Sequence, residues 1–193
     1  VLFFSTNILI SRFFSPSMVT PYQIAHRYFM VSMLLFTIIC VPYWSATTDA
    51  YAKHDFAWIR QANRTLNEIM LGIALLIGLM TIGSPLVYHI WIGTKASVPF
   101  SMTVLVGLYE LILILSTRYS FVLNGIGVLR LQLYVTIAMA LCYMPLAIWV
   151  VGQYNNINAL LLLMCFINMP GLVVNIIQYY KIIGGKAKGI WVQ

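Results

Sequence analysis

The stretch Pro42–Arg64, PYWSATTDAYAKHDFAWIRQANR, is a polar island between two long apolar runs. Apolar runs of that length are read as membrane spans, not as parts of a water-soluble core. Composition agrees: 62% of residues are hydrophobic and 8% charged, against about 25% charged in an ordinary globular domain. The expected fold is all-α, a polytopic membrane helical bundle, and the island marks one side of the membrane. Its Lys53, Arg60 and Arg64 assign that side to the cytoplasm, because short cytoplasmic loops retain positive charge.

The apolar segments are expected near 1–14, 22–50, 65–92, 98–123, 129–151 and 158–181, with 51–64 as a cytoplasmic loop. The first opens at Val1 without an initiator Met and falls short of the about 20 residues a span needs, so it reads as the tail of a helix from a longer parent. Ser15-Pro16-Ser17 ends it. Pro21 suits the first turn of the next helix, and Pro42 is expected to kink its far end.

Asp55 is placed to cap a helix beginning at Phe56. Carried to Trp91, that helix would be about 54 Å long, well beyond a hydrocarbon core of about 30 Å. Its opening turns, with Phe56, Trp58 and Ile59 beside basic residues, are therefore expected to form an elbow in the headgroup zone. Ser84-Pro85 should bend the same segment, and Tyr88, His89 and Trp91 should make an interfacial belt. Asn124-Gly125-Ile126-Gly127 reads as a tight turn; Pro145 and Pro170-Gly171 are further breaks.

With the island inside, Lys53, Arg60, Arg64, Arg130 and the tail lysines Lys181, Lys186 and Lys188 are cytoplasmic, and Arg12 and Lys95 lie outside. The net charge of +7 is spread over segment ends, which argues for topology and against a nucleic-acid partner. Cys40, Cys142 and Cys165 sit singly in different segments and read as packing residues. His26, His54 and His89 are equally scattered, so no metal is expected. Neither a nucleophile motif nor a phosphate loop occurs, and the chain is not expected to be an enzyme or to carry a cofactor.

Val19-Thr20-Pro21-Tyr22-Gln23-Ile24-Ala25-His26-Arg27 resembles the V-x-x-Y-x-I-A-x-R helix opening of the polysaccharide flippases. These are the O-antigen and capsule lipid-linked oligosaccharide exporters of the multidrug/oligosaccharidyl-lipid/polysaccharide exporter superfamily. Pro42-Tyr43-Trp44-Ser45-Ala46, followed by Asp49-Ala50-Tyr51 and Lys53-His54-Asp55, is similar to the family's P-x-W-x-A stretch. Trp91-Ile92-Gly93, Leu123-Asn124-Gly125-Ile126-Gly127 and an apolar last helix with a lysine tail follow in the family's order. The resemblance implies the C-terminal half of a twelve-helix transporter in a bacterial inner membrane. A missing N-terminal lobe would be its partner. The transporter would flip an undecaprenyl-diphosphate-linked oligosaccharide by alternating access.

A diphosphate at membrane depth calls for cations, and arginine's fork suits it. Arg27 and Arg118 lie inside apolar segments and are the candidates, with snorkelling to the interface as the plainer account of each. Glu110 falls near the middle of its segment, on a stripe with Thr103, Gly107 and Thr117 that Arg118 borders. It is read as a structural ion-pair partner, as a site for a coupling ion, H+ or Na+, or as a substrate contact. Asp49 and Glu68 flank the island and are candidates to pair with Lys53, Arg60 or Arg64 as a cytoplasmic gate. Asn7, Asn168 and Asn175 are expected to join helices by hydrogen bonds.

Two other functions fit less of the pattern. A multidrug exporter of the same superfamily would favour acidic groups in its cavity, whereas here arginines outnumber the one buried glutamate. A glycan polymerase or acyltransferase would carry a larger outer loop or a buried His or Asp site.

Overall fold

The computed structural model describes residues 2–93 and 96–192, and these are 89% helical with no strands. Six helices follow one another: α1 (Leu2–Phe13), α2 (Pro16–Ala52), α3 (Phe56–Ile92), α4 (Phe100–Ile126), α5 (Arg130–Tyr154) and α6 (Ile157–Ile183), with a short 3₁₀ turn at Gly189–Val192. Helices α2 to α6 are long and apolar enough to cross a membrane. The chain is an all-α, multi-pass helical bundle. At 12 residues, α1 is shorter than a span, as the sequence led one to expect. The turn containing Lys95 lies partly outside the described residues.

Helix α4 is the centre, packed against α2, α6 and α3, while α5 joins the bundle through α6 and α1. Small residues set the closest approach. A Cβ on Gly125 would lie 2.9 Å from the Trp44 carbonyl oxygen and 2.9 Å from Thr47 Cβ, so α2 and α4 meet there backbone to backbone. Gly125 is therefore a packing residue inside α4 and not part of a turn. Gly127, at φ 87°, is the left-handed residue that ends the helix.

Several expected boundaries shift. The second helix begins at Pro16 instead of Pro21; both prolines suit a helix start, and the earlier one takes the N1 position. The 51–64 loop contracts to the turn at 53–55, and α3 runs unbroken from Phe56. Asp55 caps it as expected, its Oδ1 accepting from Trp58 N at 2.9 Å. The elbow does not form as a separate piece, because Ile59, Ala62 and Leu66 are buried in the bundle and continue α3's inward face. The helix also passes through Ser84-Pro85. Proline removes the donor that Thr81's carbonyl would use, and Ser84 Oγ supplies one at 2.8 Å.

The aromatic belt is also revised. Tyr88 is buried and meets Tyr28 edge-on at 5.3 Å, leaving His89 and Trp91 on the surface. Cys40 and Cys165 are buried as packing residues and Cys142 is exposed. Asn7 accepts from Gln23 across α1 and α2 at 3.4 Å, and Asn175 joins α6 to α4. Asn168 instead donates to Met164 O of its own helix.

Candidate functional site

Arg118 is 3% exposed in the lower part of α4, where Nη2 donates to Asn63 Oδ1 at 2.9 Å and Nη1 donates to Asn67 Oδ1. The guanidinium carbon lies 4.1 Å from the Tyr119 ring centroid, and the Nε–H has no acceptor among the described residues. No carboxylate lies within ion-pair distance of it among the described residues. Amide oxygens hold the fork without cancelling its charge, so the site retains a net positive charge inside the bundle.

The two asparagines belong to a stripe. Arg60, Asn63, Arg64 and Asn67 fall at i, i+3, i+4 and i+7 of α3 and thus share one face. Facing them are Tyr179 and Tyr180 of α6, and together these line a cleft of about 650 Å3 at the end of the bundle that holds the α2–α3 turn. Arg60 and Arg64 are exposed, and like Arg118 they have no carboxylate within ion-pair distance among the described residues. The cleft is a basic, partly aromatic opening with a buried arginine behind its asparagines.

Glu110 is 2% exposed, and its Oε2 faces His26 Nδ1 of α2 at 3.8 Å. Tyr22 lies parallel to the imidazole, with centroids 6.2 Å apart. Of the expected stripe, Thr103, Gly107 and Arg118 are buried with Glu110, and Thr117 is half-buried. The stripe thus faces the bundle interior.

The remaining candidates do not gather. Arg27 is exposed on α2 and takes no part in the Arg118 cluster. Asp49 pairs with Lys53 at 2.7 Å, but within one helical turn of α2, with both side chains about two-thirds exposed at 65% and 69%. Glu68 is exposed and forms no ion pair among the described residues. A gate built from opposed charges is therefore not assembled. Sequence reasoning missed His26 as the partner of Glu110, and it missed Asn63 and Asn67. The helical spacing of the asparagines with Arg60 and Arg64 was the available signal.

No family model, curated protein or solved structure matches the chain.

Proposed function

We propose that this chain is the C-terminal lobe of a bacterial inner-membrane flippase for an undecaprenyl-diphosphate-linked oligosaccharide, working by alternating access with its basic end in the cytoplasm. The observation that carries the reading is Arg118. A buried guanidinium held by neutral amides and the Tyr119 ring, with its Nε–H unmatched among the described residues, is poised to receive an anion, and a diphosphate offers several acceptor oxygens. Arg60 and Arg64 at the same opening would draw such a headgroup towards it.

A multidrug exporter would need an acidic surface at an opening to hold an organic cation. Glu110 is instead enclosed against His26, and the opening beside Arg118 is lined by arginines. The anionic lipid is therefore the preferred substrate class, and Glu110 with His26 is left to bind a coupling ion, H+ or Na+, or to hold α2 against α4.

The test is complementation of a glycan-export-deficient strain by the full-length protein, reading surface polysaccharide at matched protein levels. Arg118→Ala should lower export by about tenfold or more, the equivalent of about 1.4 kcal/mol. Arg118→Lys should fall between, because it keeps the charge but loses the fork. Unchanged export in Arg118→Ala would remove the diphosphate role.

A further inference from the structure

A second opening lies between α4, α5 and α6. Because α5 joins the bundle through α6 and α1, a groove of about 420 Å3 remains beside α4, within the range of about 300–1,000 Å3 typical of small-molecule sites. Along α4 it runs from Tyr109 to Ser120, about 16 Å at the helical rise of about 1.5 Å per residue.

Its lining is mixed on every side. Where α6 meets α4, Asn175, 6% exposed, donates to Ser116 Oγ at 3.1 Å and to Ser120 Oγ at 3.0 Å, with Leu113 beside them. From α5, Gln132 adds an amide whose Nε2 has no acceptor among the described residues. Thr136, Val135 and Met139 share that face of α5 and add a hydroxyl and apolar surface. Gly171 keeps the floor low: a Cβ there would already touch Met139 Cε at 3.4 Å, and a longer side chain would fill the space.

A hydrogen-bonding group left against hydrocarbon is costly, so the unmatched Gln132 amide favours a polar occupant. The lining contains no charged residue, which argues against an anion or an organic cation. The absence of a carboxylate also argues against a hard metal ion, which favours charged oxygen ligands. Uncharged amides and hydroxyls set among apolar side chains match a pyranose, which has hydroxyl edges and C–H faces. We propose that this groove binds an uncharged glycosyl group carried on a membrane lipid. The identification of the ligand as a glycan rests on the function proposed above; the groove itself is separate from the Arg118 cleft. Ser116 and Ser120 leave α4 on the side away from Arg118, and the buried Tyr119 and Tyr179 pack on each other at 5.6 Å beside them.

The experiment uses the full-length protein in phosphatidylcholine–phosphatidylglycerol vesicles and a dodecyl maltoside carrying a photoreactive diazirine on its sugar. Labelling should map to α4, α5 and α6 and be competed by plain dodecyl maltoside at least about tenfold better than by dodecyl phosphocholine, the discrimination expected from one or two hydrogen bonds. Gly171→Leu should fill the groove and lower labelling by a similar factor. Gln132→Leu, which breaks no existing bond of that amide nitrogen, should lower it severalfold with folding intact. Equal competition by dodecyl phosphocholine would show that the groove takes an acyl chain, and unchanged labelling in both variants would show that the sugar is not held there; either result overturns the proposal. Arg118→Ala should label normally, so loss of the groove site and loss of the diphosphate reading are read out separately.

Discussion

His26 Nδ1 faces Glu110 Oε2 at 3.8 Å across the contact of α2 with α4, with the two side chains 11% and 2% exposed. That separation is beyond a hydrogen bond but close enough for a strong mutual influence in a medium of low dielectric. A double-mutant cycle with His26→Gln and Glu110→Gln should return a coupling of about 0.5–2 kcal/mol, as for interacting polar pairs in membrane bundles. Unfolding in mixed micelles measures it, and an additive cycle would leave the two side chains as mere neighbours. For the coupling role, transport by Glu110→Gln should lose its dependence on a proton or sodium gradient. A variant that keeps the wild-type dependence would restrict Glu110 to structure.

Gly125 makes a sharper packing prediction. Its missing Cβ would stand 2.9 Å from a backbone oxygen, which cannot swing aside as a side-chain end can. Gly125→Ala should therefore lower stability by about 1–3 kcal/mol, the usual cost of overpacking. At Gly78, also helical, a Cβ meets nothing within 4 Å, and Gly78→Ala should be neutral or stabilising by up to about 1 kcal/mol through helix propensity. Thermal unfolding of the pair in one detergent tests the contrast.

These residues also show how far the sequence could be read. The helices were legible because apolar length is a local property, and the Asp55 cap was legible because its partner is three residues away. The burial of Arg118 and Glu110 followed from the polar stripe on α4. Their partners did not, since His26 and Asn63 lie 84 and 55 positions away and only the packing of α2 and α3 on α4 brings them near. Gly125 was misread for the same reason: an Asn-Gly step signals a turn locally, and nothing in its neighbourhood reveals that Trp44 and Thr47 need the space.

Among the polar residues at the α2–α3 turn, Asp55 should matter more to folding than the ion pair beside it. Asp55→Ala removes the acceptor for Trp58 N, at a cost of about 1 kcal/mol for a lost cap. Asp49→Ala breaks an exposed pair with Lys53, which should change stability by less than about 0.5 kcal/mol. Hydrogen exchange at Trp58 should quicken in the first variant and stay unchanged in the second. The reverse order would mean that the Asp49 and Lys53 pair, not the cap, fixes the turn.

Asn63 and Asn67 hold Arg118 through their amide oxygens without neutralising it. Replacing either by Leu removes an acceptor from a buried cation, and each lost bond to a charged group should cost about 1.5–3 kcal/mol. Replacement by Asp should act oppositely on stability and function. A carboxylate within the same hydrogen-bonding reach would pair with the guanidinium and compensate its charge, so Asn63→Asp should unfold no more easily than the unchanged protein while competing with the anion the cleft is proposed to take. Glycan export should then fall by about tenfold or more, the equivalent of about 1.4 kcal/mol, in a protein that folds and accumulates normally. If Asn63→Asp is stable and exports at the original rate, Arg118 is a structural clasp between α3 and α4 and not a seat for the diphosphate.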